Sequence, residues 1–139
     1  WNTDFGRVAR HRKSIDAGNV KLIFNILPEA AKYLADRDIV EIAKSTVFNC
    51  KADALCVSGL TAGSETNSQI LKRVKDAVPD TVVLANTGCR PDTIEAQLSV
   101  ADGAVVGTTF KVDGKFENGV DEKRVREFMS IVKKFRGQD

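Results

Sequence analysis

Four short apolar runs recur along the chain, each followed by a stretch with helical apolar spacing. This alternation restricts the fold more than any other feature of the sequence. The runs are Leu22-Ile23-Phe24 with Val20 before them, Ala54-Leu55-Cys56-Val57, Val82-Val83-Leu84-Ala85 and Ala104-Val105-Val106. None alternates polar with apolar residues, so none reads as a strand with one wet face. Uninterrupted runs of this length mark strands covered on both sides, which is the signature of a parallel sheet. Parallel neighbours need crossover connections, and the intervening segments have helical patterns.

The predicted strands are 20–25, 54–57, 81–86 and 104–106. They end at Asn25, at Ser58-Gly59, at Asn86 and at Gly107. A basic stretch over 7–16 precedes the first strand, with Val8 and Ile15 on one face and Gly18 placed as its C-cap. The first crossover helix spans 38–50. Asp38 and Glu41 have capping-box spacing there, and Ile39, Ile42, Ala43, Val47 and Cys50 share a face. The second starts near Thr66 with Gln69 as box partner, carries Ile70, Val74, Ala77 and Val78, and stops at Pro79. The third opens with Pro91 and turns Ile94, Leu98 and Ala101 inward. Asp113-Gly114, flanked by Val112 and Phe116, reads as a small hairpin turn. The last helix follows an Asp121 N-cap, with Val120 and Val125 placed as a hydrophobic staple. Its apolar stripe is Val125, Phe128, Met129, Val132 and Phe135, and its last turn is basic.

Two α/β architectures fit this order: a doubly wound open sheet, or part of a (β/α)8 barrel. A complete barrel needs roughly 250 residues and eight strands. The chain has 139 residues, and four strands are predicted.

Lys plus Arg total 21 and Asp plus Glu 19, a net charge of +2, with aromatics at only 6%. Neither a bulk positive field nor a set of stacking platforms is available for nucleic acid. No apolar run approaches the ~18 residues of a membrane span. The three cysteines, Cys50, Cys56 and Cys89, have neither disulfide-framework nor zinc spacing, so no metal or other cofactor is expected. Free thiols fit a reducing compartment, intracellular and either cytoplasmic or organellar. The chain starts at Trp1 and continues with polar residues. No signal peptide is read there, and the start reads as the middle of something longer.

In both architectures ligands bind beyond the C-terminal ends of the strands. The loops there carry Asn25 with Pro28 and Glu29, then 58–63 from Ser58 and Gly59 to Gly63, then Asn86-Thr87-Gly88-Cys89-Arg90, then Gly107-Thr108-Thr109-Phe110-Lys111. The last two are the most informative. Glycine lets backbone N–H groups approach an anion. Thr87 and Thr108 add hydroxyls, and Arg90 and Lys111 add charge. The 59–63 loop lacks the Lys-Ser/Thr of a nucleotide P-loop and reads as a connection or lid. Glu29 and Glu65 read as solvated groups, and His11 with Arg7, Arg10, Arg12 and Lys13 reads as a solvated helix face. Cys89, near a predicted helix start, reads as an ordinary loop residue.

Four segments in order bear a family resemblance: Ala52-Asp53-Ala54-Leu55-Cys56-Val57-Ser58-Gly59, Arg73-Val74-Lys75-Asp76-Ala77-Val78-Pro79-Asp80, Ala101-Asp102-Gly103-Ala104-Val105-Val106-Gly107-Thr108 and the terminal helix from Val120 to Met129. They are similar to strand six, the approach to strand seven, strand eight and the last helix of the BtpA/SgcQ family. The resemblance implies that residues 1–139 are the C-terminal half, strands five to eight, of a single TIM-barrel domain. It places a phosphorylated small molecule at Asn86, Thr87, Gly88, Gly107 and Thr108 and leaves the catalytic residues unassigned; from the loops that carry them, Asn25, Ser58, Gly59, Arg90 and Lys111 are the candidate supporting residues. Relatives are linked to photosystem I assembly in photosynthetic cells, and elsewhere lie beside sugar-metabolism genes. After strand five the family has an Asp and then a Lys-His pair. Here the stretch is Asn25-Ile26-Leu27-Pro28-Glu29-Ala30-Ala31, so the carboxylate is an amide and the pair is gone. The family's Gly-Ser-Gly-like turn after strand seven is Asn86-Thr87-Gly88. Three functional classes are consistent with this: a phosphate-ester-binding barrel with isomerase, aldolase-like or hydrolytic activity, a non-enzymatic assembly factor, and an inactive half-barrel. A half-barrel has open strand edges, so a homo-oligomer or pairing with an N-terminal half is expected.

Overall fold

The computed structural model describes residues 4–29, 31, 33–59 and 66–138. The elements run α1 (Phe5–Ser14), β1 (Ile23–Leu27), α2 (Ile39–Cys50), β2 (Ala54–Ser58), α3 (Ser68–Ala77), β3 (Val82–Asn86), α4 (Ile94–Leu98), β4 (Gly103–Val105) and α5 (Glu122–Phe135). Two single 3₁₀ turns, Thr108–Phe110 and Val112–Gly114, separate the last two. The strands form one parallel sheet in the order β1-β2-β3-β4. A doubly wound sheet would reverse direction at a switch point. Strictly sequential order is that of half a (β/α)8 barrel.

The helices cover one face. Phe24, Ile26, Leu55, Val57, Val83 and Ala85 project there and pack with Ile42, Leu71, Val74, Ile94, Phe128 and Val132 in a continuous core. Phe5 of α1 stacks on Phe24, ring centres 4.4 Å apart. The opposite face lies open. Ile23 is 53% exposed, Val82 44% and Val105 45%. The expectation of strands buried on both sides therefore holds for β2 alone, where all five residues are buried. β1 and β3 alternate between buried and more exposed residues. Their second face is the side that a closed barrel turns inward.

One device repeats at the N-terminal ends of the strands. Asp53 precedes β2 and Asp102 precedes the core of β4. The backbone N–H of Asp53 donates to Leu22 O at 2.9 Å, and that of Asp102 to Val83 O at 2.9 Å. Each carboxylate accepts from the neighbouring strand in return, Asp53 from Leu22 N and Asp102 from Val83 N, both at 2.8 Å. Each also holds a cation at 2.7 Å, Arg12 on Asp53 and Lys75 on Asp102. Arg12 thus leaves the basic face predicted for the first helix and clamps α1 to β1 and β2. The Leu22 N–H and then the Arg12 guanidinium hold the Asp53 carboxyl down at about 2. A carboxyl depressed in the folded state stabilises the fold above its unfolded value, near 4, and that contribution is lost as pH falls through about 2. In urea titrations, Asp53→Ala is expected to lower stability by about 1–3 kcal/mol at pH 7, because it orphans a backbone donor and a half-buried guanidinium. The wild-type advantage over the variant should shrink between pH 4 and pH 2.

Several element ends differ from the sequence reading. α1 closes in a Schellman motif with Asp16 in the left-handed conformation (φ 54°), Asp16 N donating to Lys13 O and Ala17 N to Arg12 O. Asp16 thus takes the role expected of Gly18. β1 starts later and runs further than predicted, to Leu27. α3 is capped by Asn67, whose side chain accepts from Gln69 N and Ile70 N. Thr66 is buried and bonds across the sheet ends. Pro91 lies in a turn ahead of a short α4. Asp113 and Gly114 both have positive φ, as a tight hairpin turn requires, but among the described residues the flanking pairing is a single bridge between Lys111 and Val120. Val120 is largely exposed, so the staple with Val125 does not close. Phe135 is also exposed at the end of the α5 stripe.

Candidate functional site

The C-terminal ends of β1, β2 and β3 carry Asn25, Ser58 and Asn86, which form one hydrogen-bonded row. The Nδ2 groups of Asn25 and of Asn86 each donate to Ser58 Oγ at 2.8 Å. Asn25 Oδ1 accepts from Leu27 N at 3.2 Å, which orients the amide. The row is neutral and rigid, and Ser58 is wholly buried within it.

Beyond the row the loops are laced together. Gly59 N donates to Thr87 Oγ1 at 2.8 Å. The Thr66 hydroxyl stands 3.1 Å from both Val57 O and Asn86 O and donates between them. The Thr109 hydroxyl donates to Cys89 O at 2.6 Å, locking the loop after β4 to the loop after β3. Thr87 holds a φ of 86°. A β-branched side chain is strained in that region, and the tie to Gly59 helps to hold it there. Gly88 follows with φ 63°.

Between these two loops lies a cavity of about 380 Å³. Of the predicted anion-site residues, Asn86, Thr87, Gly88, Gly107 and Thr108 all line it, as does Arg90. Ser58 is linked to it through the bond from Asn86, Asn25 in turn through Ser58, and Gly59 through Thr87. Lys111 lies off its wall. Arg90 also faces Asp92, at 3.4 Å. Glu29, read from sequence as a solvated group, is on the wall, and so are Thr109, Arg124 and Phe116. Sequence reasoning missed Arg124 because the helical pattern marks it only as a polar position in the first turn of α5. The loop 60–63 and Glu65 lie outside the described residues.

Cys89 is buried, with Sγ facing the carbonyls of Ala85 and Thr87 at 3.8 and 3.6 Å. Burial pushes the Cys50 and Cys56 thiols up. The described residues contain no cluster of three or more His, Cys, Asp or Glu able to hold a metal, and no helix among them is long and apolar enough to cross a membrane. A second cavity, of about 360 Å³, lies between α1, α2 and the segment after β1. Tyr33 closes one side of it, donating to Ile26 O at 2.9 Å, and burial raises its phenol pKa.

Comparison with known proteins bears on the family and the fold. The chain is 61% identical over 136 residues to the putative sgc region protein SgcQ of Escherichia coli K12, covering 98% of the chain and 51% of that protein. It is 31% identical over 129 residues to an uncharacterized mitochondrial protein of Caenorhabditis elegans, covering 91% and 46%. Against the photosystem I biogenesis protein BtpA of Synechocystis the identity is 25% over 123 residues, covering 88% and 42%. The chain therefore spans about half the length of these relatives. Among solved structures it resembles the YdjI aldolase of Escherichia coli K12, with a TM-score of 0.52 and 18% identity, covering 97% of the chain and 53% of the aldolase. That likeness is one of fold, and half of that chain is matched by four strands here. The BtpA family model matches residues 1–134, and with these relatives it establishes that the chain belongs to the BtpA family.

Proposed function

We propose that this chain is the C-terminal half, strands five to eight, of one barrel domain, and that its rim binds a phosphorylated small molecule. The observation that carries the reading is the cavity between the loops after β3 and β4, walled by Gly88, Gly107 and Thr108. Backbone N–H groups at such turns can receive phosphate oxygens without any change in protonation. The Thr87 oxygen is already engaged by Gly59 N, so Thr108 is the hydroxyl better placed to assist. The free cysteines suit a reducing compartment, cytoplasmic or organellar.

Gly107→Val tests the cradle. A β-carbon there meets nothing within 4 Å, so the fold should accept it. Calorimetry of the intact protein with a panel of sugar phosphates should show binding weakened by on the order of 1–3 kcal/mol, the cost of unmade hydrogen bonds to a charged group. Gly88→Val should weaken binding too, but it also strains a backbone held at φ 63°. Equal binding by wild type and both variants would place the site elsewhere.

A second reading is favoured by Asn25. Its amide cannot titrate and is bonded at both ends, so this position supplies no proton carrier. Binding without turnover, as in an assembly or stability factor, fits that feature. Recovery of a stable partner complex from the host, with ligand binding but no conversion of any sugar phosphate tested, would support it.

A further inference from the structure

Arg124 is a half-buried cation without a carboxylate partner among the described residues, and unlike the similarly placed Lys111 it lines the cavity. On the same helix Lys123 pairs with Glu127 and Arg126 with Glu122. Elsewhere the half-buried cations Arg12 and Lys75 pair with Asp53 and Asp102. Arg124 instead donates through Nε to Thr109 O at 2.8 Å. Its guanidinium lies over Gly114, where a β-carbon would come within 3.5 Å of a terminal nitrogen. One donor therefore locks the side chain to the loop after β4. Arg124 is on the wall of the cavity that Gly88, Gly107 and Thr108 share.

Withdrawing a cation from water without a counter-charge is costly. A guanidinium presents its donors as a planar fork, matched to two oxygens of one anion. From this geometry we infer that Arg124 is the charged ligand of the anion site and that the molecule bound there is a phosphate monoester. The inference rests on the cradle reading above and specifies it. A terminal phosphate offers three free oxygens, enough for the arginine fork on one side and backbone N–H groups of two loops on the other. A diester offers two and leaves one set of donors unmet. The role expected of Arg90 and Lys111 thus falls to a residue of the last helix.

The test is calorimetry on the intact protein with inorganic phosphate and with dimethyl phosphate as the diester probe. Wild type should bind the first and discriminate against the second. Arg124→Gln should weaken phosphate binding about 10–100-fold, the range for hydrogen bonds to charged groups. Arg124→Lys should recover little of it, since a lysine keeps the charge but loses the fork. Lysine also covers the case in which the glutamine variant fails to fold. If both variants bind phosphate like wild type while Gly107→Val does not, the arginine assignment is wrong and the cradle stands. If wild type binds neither probe, the cradle reading fails and takes this inference with it. If wild type binds dimethyl phosphate as tightly as phosphate, the monoester assignment fails.

Discussion

A polypeptide of these 139 residues alone is expected to sediment as a dimer or larger species. β1 and β4 are the two edges of the parallel sheet, each presenting a row of N–H and C=O groups with no strand beside it among the described residues. The open sheet face adds Ile23, Val82 and Val105, each more than two-fifths exposed. Exposed apolar surface beside unpaired strand edges is a template for association. Sedimentation velocity over a concentration series measures this directly, and co-expression with a complementary half-barrel, as the proposed half-domain requires, should suppress it. A clean monomer with a sharp cooperative unfolding transition would show that the open face needs no cover.

Replacing Gln97 by methionine is expected to raise stability by about 1–3 kcal/mol, the penalty for a buried polar group left unbonded. Gln97 lies in α4, 1% exposed, and neither Nε2 nor Oε1 has a hydrogen-bond partner among the described residues. Methionine has nearly the same shape and removes both polar atoms, so the packing is kept. Thermal unfolding should shift upward by several degrees, a change of this size in a domain of this length. A lower midpoint for Gln97→Met would mean that the amide has a bonded role in the native protein, and Gln97→Leu would then fall further.

Much of the candidate site was legible because small residues after strands carry a local meaning. Gly88 and Gly107 end two successive strand–helix units, and sequential parallel strands bring such loops to one rim. The family motifs Ala52-Asp53-Ala54 and Ala101-Asp102-Gly103 were also legible as sequence. Their carboxylates, however, lie at the opposite end of the sheet, where they pair strands and take no part in the cavity. Glu29 read as a solvated group and Arg124 was not singled out, since nothing in their own segments marks the wall they reach.

The sequence by itself determined the elements and their order. Asp38 and Asp121 cap the helices predicted for them, the four apolar runs are the four strands, and the glycines fall at the rim. These outcomes follow from contacts within a few residues: caps, helical stripes and the φ that a turn demands. The tertiary structure alone decided which polar groups meet. Arg12 reaches Asp53 across 41 positions, Thr109 reaches Cys89 across 20, and Arg124 reaches Thr109 across 15. It also decided which sheet face is covered, because an apolar run records that a strand can be buried, while the faces actually buried depend on what packs against them.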